Sequence, residues 1–91
     1  MTTMVAVAAP AATWTLVYTA VGAATIGVYS ADPAIQIKVR IGTNATAGDA
    51  ASAPHNLLQP RERSSWAGLV AGDKVYVMPV GDIAGSVTLW S

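Results

Sequence analysis

The stretch Ile35-Gln36-Ile37-Lys38-Val39-Arg40-Ile41-Gly42 alternates β-branched apolar residues with polar ones. Its period is two, so the apolar set shares one face of a strand and Gln36, Lys38 and Arg40 share the other. A slip of one residue would bury Lys38 and Arg40, which costs several kcal/mol unless each is paired. Ile35, Ile37, Val39 and Ile41 are therefore expected inward.

Weaker versions of the pattern run along the rest of the chain. Thr13–Thr19 predicts a strand with Trp14, Leu16 and Tyr18 on one face and Thr13, Thr15, Val17 and Thr19 on the other. After Val21-Gly22-Ala23-Ala24, the next strand is Thr25–Ser30, where Gly27 signals a bulge or a close backbone approach. Ala31-Asp32-Pro33-Ala34 is a turn into the Ile35 strand. His55–Pro60 predicts a short strand, followed by the polar run Arg61-Glu62-Arg63-Ser64-Ser65-Trp66. Lys74–Val80 is apolar on both faces, and its Pro79 must lie at an edge or bulge because it cannot donate to a ladder. Gly81–Gly85 is a hairpin loop, and Ser86–Ser91 places Val87 and Leu89 on a core face.

These segments come at spacings of roughly 8–12 residues with turn signals between them and no helical period. The fold class is all-β: an antiparallel β-sandwich or jelly-roll-like barrel of about 7–8 short strands. Residues 1–12 read as an extended N-terminal arm, and 13–91 as a single β domain. The Val5/Val7 alternation suits an arm docked on a neighbouring subunit, and a loose terminus is the alternative. The domain is expected to fold without the arm, since the alternating strands lie beyond it. Residues 42–54 form the longest stretch without an apolar period, and loops of this length often bind something.

Composition narrows the reading. Apolar residues make up 53% of the 91 and charged residues only 11%, so charge alone cannot cover the surface. Small domains compensate for thin cores with disulfides, metals or oligomerisation. There is no cysteine and one histidine, which removes disulfides, thiolate metal sites and multi-histidine zinc sites. A homo-oligomer is the remaining device. Five basic and five acidic residues cancel, so nucleic acid is not an expected partner. The first charge is Asp32, but Pro10, Gly22, Thr13, Thr15, Thr19 and Thr25 interrupt the preceding stretch. Strands fit it better than a membrane span, and Met1-Thr2-Thr3-Met4 lacks the basic start of a signal peptide. No membrane partner is expected.

Candidate chemistry is sparse. A Ser-His-Asp set would have to come from His55, Asp49 and Ser64 or Ser65, and nothing in their spacing supports it. Asp32, Asp73 and Asp82 stand beside Pro or Gly, where carboxylates accept backbone N–H bonds in turns. No catalytic residue, metal or cofactor is assigned, and the protein is not expected to be an enzyme. The candidate partner or oligomer contacts are Val5, Val7, Trp14, Arg61, Arg63 and Trp66. Arg61 and Arg63 would share one side of a strand, as an edge that resists aggregation or as an ion-pairing anchor. Trp66 follows a polar run and suits a rim that a partner covers.

From Ile35 onward the chain resembles small structural proteins of tailed bacteriophages. The resemblance is carried by the alternating strand Ile35–Gly42, the loop Ala45–Pro54 and the turn Leu58-Gln59-Pro60-Arg61-Glu62. The strand Gly72-Asp73-Lys74-Val75-Tyr76-Val77 and the closing Gly85-Ser86-Val87-Thr88-Leu89 complete it. It implies a capsid decoration, or cement, protein on the outer surface of the virion, bound to the major capsid protein, with a trimer as the first expectation. It places no catalytic residue. The alternative is a carbohydrate- or receptor-binding module of a phage tail or fibre, with Trp66, Tyr76 and the 42–54 loop as its platform.

Overall fold

The computed structural model describes residues 4–50, 52–81 and 83–90, with the backbone alone at Met4 and Val5. Asp82, read above as a turn acid, lies outside the described residues. Among the described residues there are eight strands: β1 (Met4–Ala9), β2 (Thr15–Thr19), β3 (Ala24–Ser30), β4 (Ile37–Gly42), β5 (Asn56–Leu58), β6 (Arg63–Leu69), β7 (Lys74–Pro79) and β8 (Gly85–Trp90). They form two four-stranded antiparallel sheets, β1-β8-β3-β6 and β2-β7-β4-β5. First pairs with last, second with seventh, third with sixth and fourth with fifth. That nested pairing is one long hairpin rolled into two sheets, the jelly-roll arrangement. Among the described residues no helix is long and apolar enough to cross a membrane.

Alternation explains the core between the sheets. Ile37 and Val39 of β4 are fully buried, and Ile35 just before it is buried too. They meet Val75 and Val77 of β7, Ile26 and Val28 of β3, and Val87 and Leu89 of β8. Lys38 and Arg40 take the opposite face and are half-buried. Each fully buried Val or Ile is worth roughly 1.5–3 kcal/mol of transfer free energy. Ser30 continues the inward face of β3 and is also fully buried; its hydroxyl donates to the Ile35 carbonyl at 3.1 Å and pins the turn into β4.

Two local expectations change in the structure, and the expected edge position of Pro79 is met at one end of a central strand. The segment read as an arm contains β1, paired with β8 of the same chain along six residues. Val7 packs on the core and Ala9 is 1% exposed, so this segment belongs to the folded sandwich. In β2 the register shifts between Leu16 and Tyr18, so Tyr18 packs on the main core while Leu16 stays exposed. A bulge places one extra residue on one strand, which is how the Trp14-Leu16-Tyr18 face is broken. Pro79 lies opposite Ile37 in β7, a central strand. Because β2 begins only at Thr15, opposite Val77, Pro79 has a strand neighbour on one side and its missing N–H breaks no ladder.

Candidate functional site

The face of the second sheet that points away from the main core carries a second apolar cluster. Trp14, Tyr76, Met78 and Ala45 are buried together there. Alternation along β7 sends Val75 and Val77 into the main core and Tyr76 and Met78 to this opposite face. The cover is the loop after β4, whose residues 43–50 and 52–54 lie across the sheet as a strap. The Trp14 Nε1–H donates to the Ala50 carbonyl at 3.1 Å. Arg40 Nε–H donates to Asp49 Oδ2 at 2.7 Å, and its NH1 group reaches the Pro54 carbonyl at 3.0 Å. Asp49 also receives the Thr46 N–H and the Thr46 hydroxyl, each at 2.9 Å. The Thr46 N–H, then the Arg40 guanidinium and the Thr46 hydroxyl, hold the Asp49 carboxyl down from 3.8 to about 2. The loop expected to be available for binding is thus engaged by its own sheet.

Two surface clefts are lined by described residues. The first, about 360 Å³, opens between the sheets where β5 stops after three residues. Val39, Ile41, Trp66 and Leu69 give it an apolar lining, and Pro54, His55 and Asn56 lie at its side. The second, about 550 Å³, lies where the turns after β3, β5 and β7 meet. Asp32, Gln36 and Gln59 line it beside Ile35 and Ile83, and Gln36 donates to Gln59 at 2.7 Å.

The residues singled out as contacts do not converge. Val5 lies opposite Leu89 in the β1–β8 ladder, and its side chain is outside what the structure describes. Val7 is half-buried on the core. Trp14 is 1% exposed and committed to the strap cluster, so its ring is not on the surface. Arg61 is not in a strand. It sits in the tight turn Gln59-Pro60-Arg61-Glu62 with φ of 60°, closed by Glu62 N–H to the Gln59 carbonyl at 3.0 Å. Arg63 is exposed and lies opposite Tyr29, whereas Trp66 lies opposite the buried Ile26. Three residues apart on a strand, Arg63 and Trp66 take opposite faces. Tyr76 is buried under the strap while Trp66 belongs to the other sheet, so they share no platform.

The described acids close local turns. Asp32 accepts from Ala34 N–H, Asp49 from Thr46 N–H, Glu62 from Gln59 N–H and Asp73 from Val70 N–H, at 2.7–2.9 Å. His55 Nδ1 lies 2.7 Å from the Ala53 carbonyl, and its ring stands 6.2 Å from that of Trp14. Its described partners are therefore neither Asp49 nor Ser64 or Ser65. The Arg40–Asp49 latch was missed in the sequence, where the loop showed no apolar period; a lone Asp among small residues, nine positions after an outward Arg, was the available signal. No family model, no curated protein and no solved structure matches this chain.

Proposed function

We propose that the protein is a structural virion component that decorates and stabilises a bacteriophage capsid by bridging neighbouring capsomers. It sits on the outer capsid surface as a homo-oligomer, with three copies per site, and its partner is the major capsid protein. The observation that carries this reading is the use made of the polar residues. The four described acids are spent on turns, which supports a chain built for shape and contact. The chain's resemblance to small phage structural proteins supplies the particular surface. The jelly-roll fold adds only analogy, since one fold hosts many functions.

Binding that requires the assembled shell stabilises it by linkage, because the ligand favours the lattice over free subunits. The experiment adds purified protein to undecorated shells and measures occupancy and rupture temperature. Saturable occupancy with a raised rupture temperature is expected. No binding to shells overturns the reading. The alternative, a carbohydrate- or receptor-binding module, is favoured by one feature: the cleft that sets Trp66 beside His55 and Asn56. Retention on polysaccharide resin without shell binding would decide for it.

A further inference from the structure

Four strands in this fold are sheet edges: β1 and β6 of the first sheet, β2 and β5 of the second. Unpaired edges offer a row of backbone donors and acceptors to any passing strand, and proteins usually blunt them. The second sheet is blunted on both sides. β2 is bulged, and β5 has three residues. The first sheet is not blunted at β1. Met4–Ala9 runs in unbroken register with β8 and contains no charge and no proline. At the other edge, β6 pairs regularly with β3 from Arg63 to Trp66 before its register shifts near Gly68. Next to that edge lies the cleft lined by Val39, Ile41, Trp66 and Leu69, where the sandwich interior is open.

We propose that this sheet joins copies of the chain head to tail, β1 of one copy lying antiparallel along β6 of the next. Three features match the two edges. Direction is the first. The sheet is antiparallel throughout, with four strands, so β1 and β6 run oppositely. Copies related by rotation about an axis along the strands therefore bring β1 beside β6 in the antiparallel sense that the sheet already uses. Face is the second. Val7 lies opposite the buried Val87 and Trp66 opposite the buried Ile26, so both belong to the inward face. In a continued sheet, Val7 of one copy falls on the face of Trp66 of the next and closes the apolar mouth of the cleft. Bulk and charge are the third. Ala6 and Ala8 of β1 and Ser65 of β6 are small, exposed and uncharged, and Arg63, the one charge of β6, stands on the same outer face at the first residue of the strand, two residues before Ser65. A β1 edge bears on one β6 edge only, so the contact is heterologous and closes into a ring where the rotation allows. This deepens the homo-oligomer of the proposed function.

The test is run in free solution, without shells, so failure here is distinct from failure of capsid binding. The chain has no cysteine, and introduced thiols therefore report one contact each. Variants Ala6→Cys, Ala8→Cys and Ser65→Cys are made singly, and Ala6→Cys and Ala8→Cys are each also combined with Ser65→Cys. Cross-strand thiols within about 5.5 Å between Cα atoms can form a disulfide. Under oxidation, a β1 single mixed with Ser65→Cys is expected to give a covalent heterodimer. The doubly substituted chains are expected to give a ladder that ends at one closed ring. Dimerisation of Ala6→Cys or Ala8→Cys alone shows β1 pairing with itself and overturns the proposal. So does a wild-type protein that sediments as a monomer across a concentration series, a measurement that depends on no variant.

Discussion

Replacing Gly27 by Ala tests how the outer face of the first sheet is built. Gly27 lies between Trp90 of β8 and Ser65 of β6. A Cβ placed there would stand 2.0, 2.2 and 2.4 Å from three atoms of the Trp90 ring. Carbons in contact sit about 3.5–4.0 Å apart, so the indole must lift by roughly 1.5 Å or swing away. A tryptophan buries about 150–250 Å². Losing about 50–100 Å² of that at ~25 cal/mol per Å² costs about 1.3–2.5 kcal/mol. Against this, Ala in a strand is favoured over Gly by about 0.5–1 kcal/mol. The net expectation is a loss of about 0.3–2 kcal/mol by these two terms. The same substitution in a Trp90→Ala background meets no ring, so its sign should reverse to a gain of about 0.5–1 kcal/mol. Urea unfolding of the four proteins, with m unchanged, gives the coupling by a double-mutant cycle. An equal effect of Gly27→Ala in both backgrounds would refute the reasoning.

Two further outcomes follow from the turns and the strap. Asp49 has a folded pKa of about 2, below its ordinary 3.8, so its contribution is present above pH 3.8 and is lost as pH falls through about 2. Asp49→Asn should therefore lower the urea midpoint at neutral pH and loosen amide protection across residues 43–50, with the difference from wild type closing near pH 2; a pH-independent difference counts against the carboxylate latch. Arg61 holds φ of 60° where glycine is at ease, so Arg61→Gly should raise stability by about 0.5 kcal/mol after the entropic cost of glycine. A lower melting temperature for that variant would show that the arginine side chain contributes more than its backbone strain removes.

What the sequence determined by itself is the local part. Alternation at Ile35–Ile41 and at Val87/Leu89 identified which side chains face inward, because a strand's period of two is a property of the backbone. Asp32 and Asp73 were legible as turn acids, because their hydrogen bonds reach only two or three residues. Gly27 announced a close approach, although not that Trp90 would make it. Tertiary structure decided everything that joins distant segments. The β1–β8 pair spans nearly the whole chain, and it turned an apparent arm into a strand because the open edge of β8 supplied a ladder. One bulge in β2 moved Tyr18 to the main core and left Trp14 on the opposite face. There Trp14 became the floor for a loop whose own sequence has no apolar period. Arg40 and Asp49 meet only because that loop folds back over the sheet. Such contacts depend on three-dimensional register, which no short window of sequence contains.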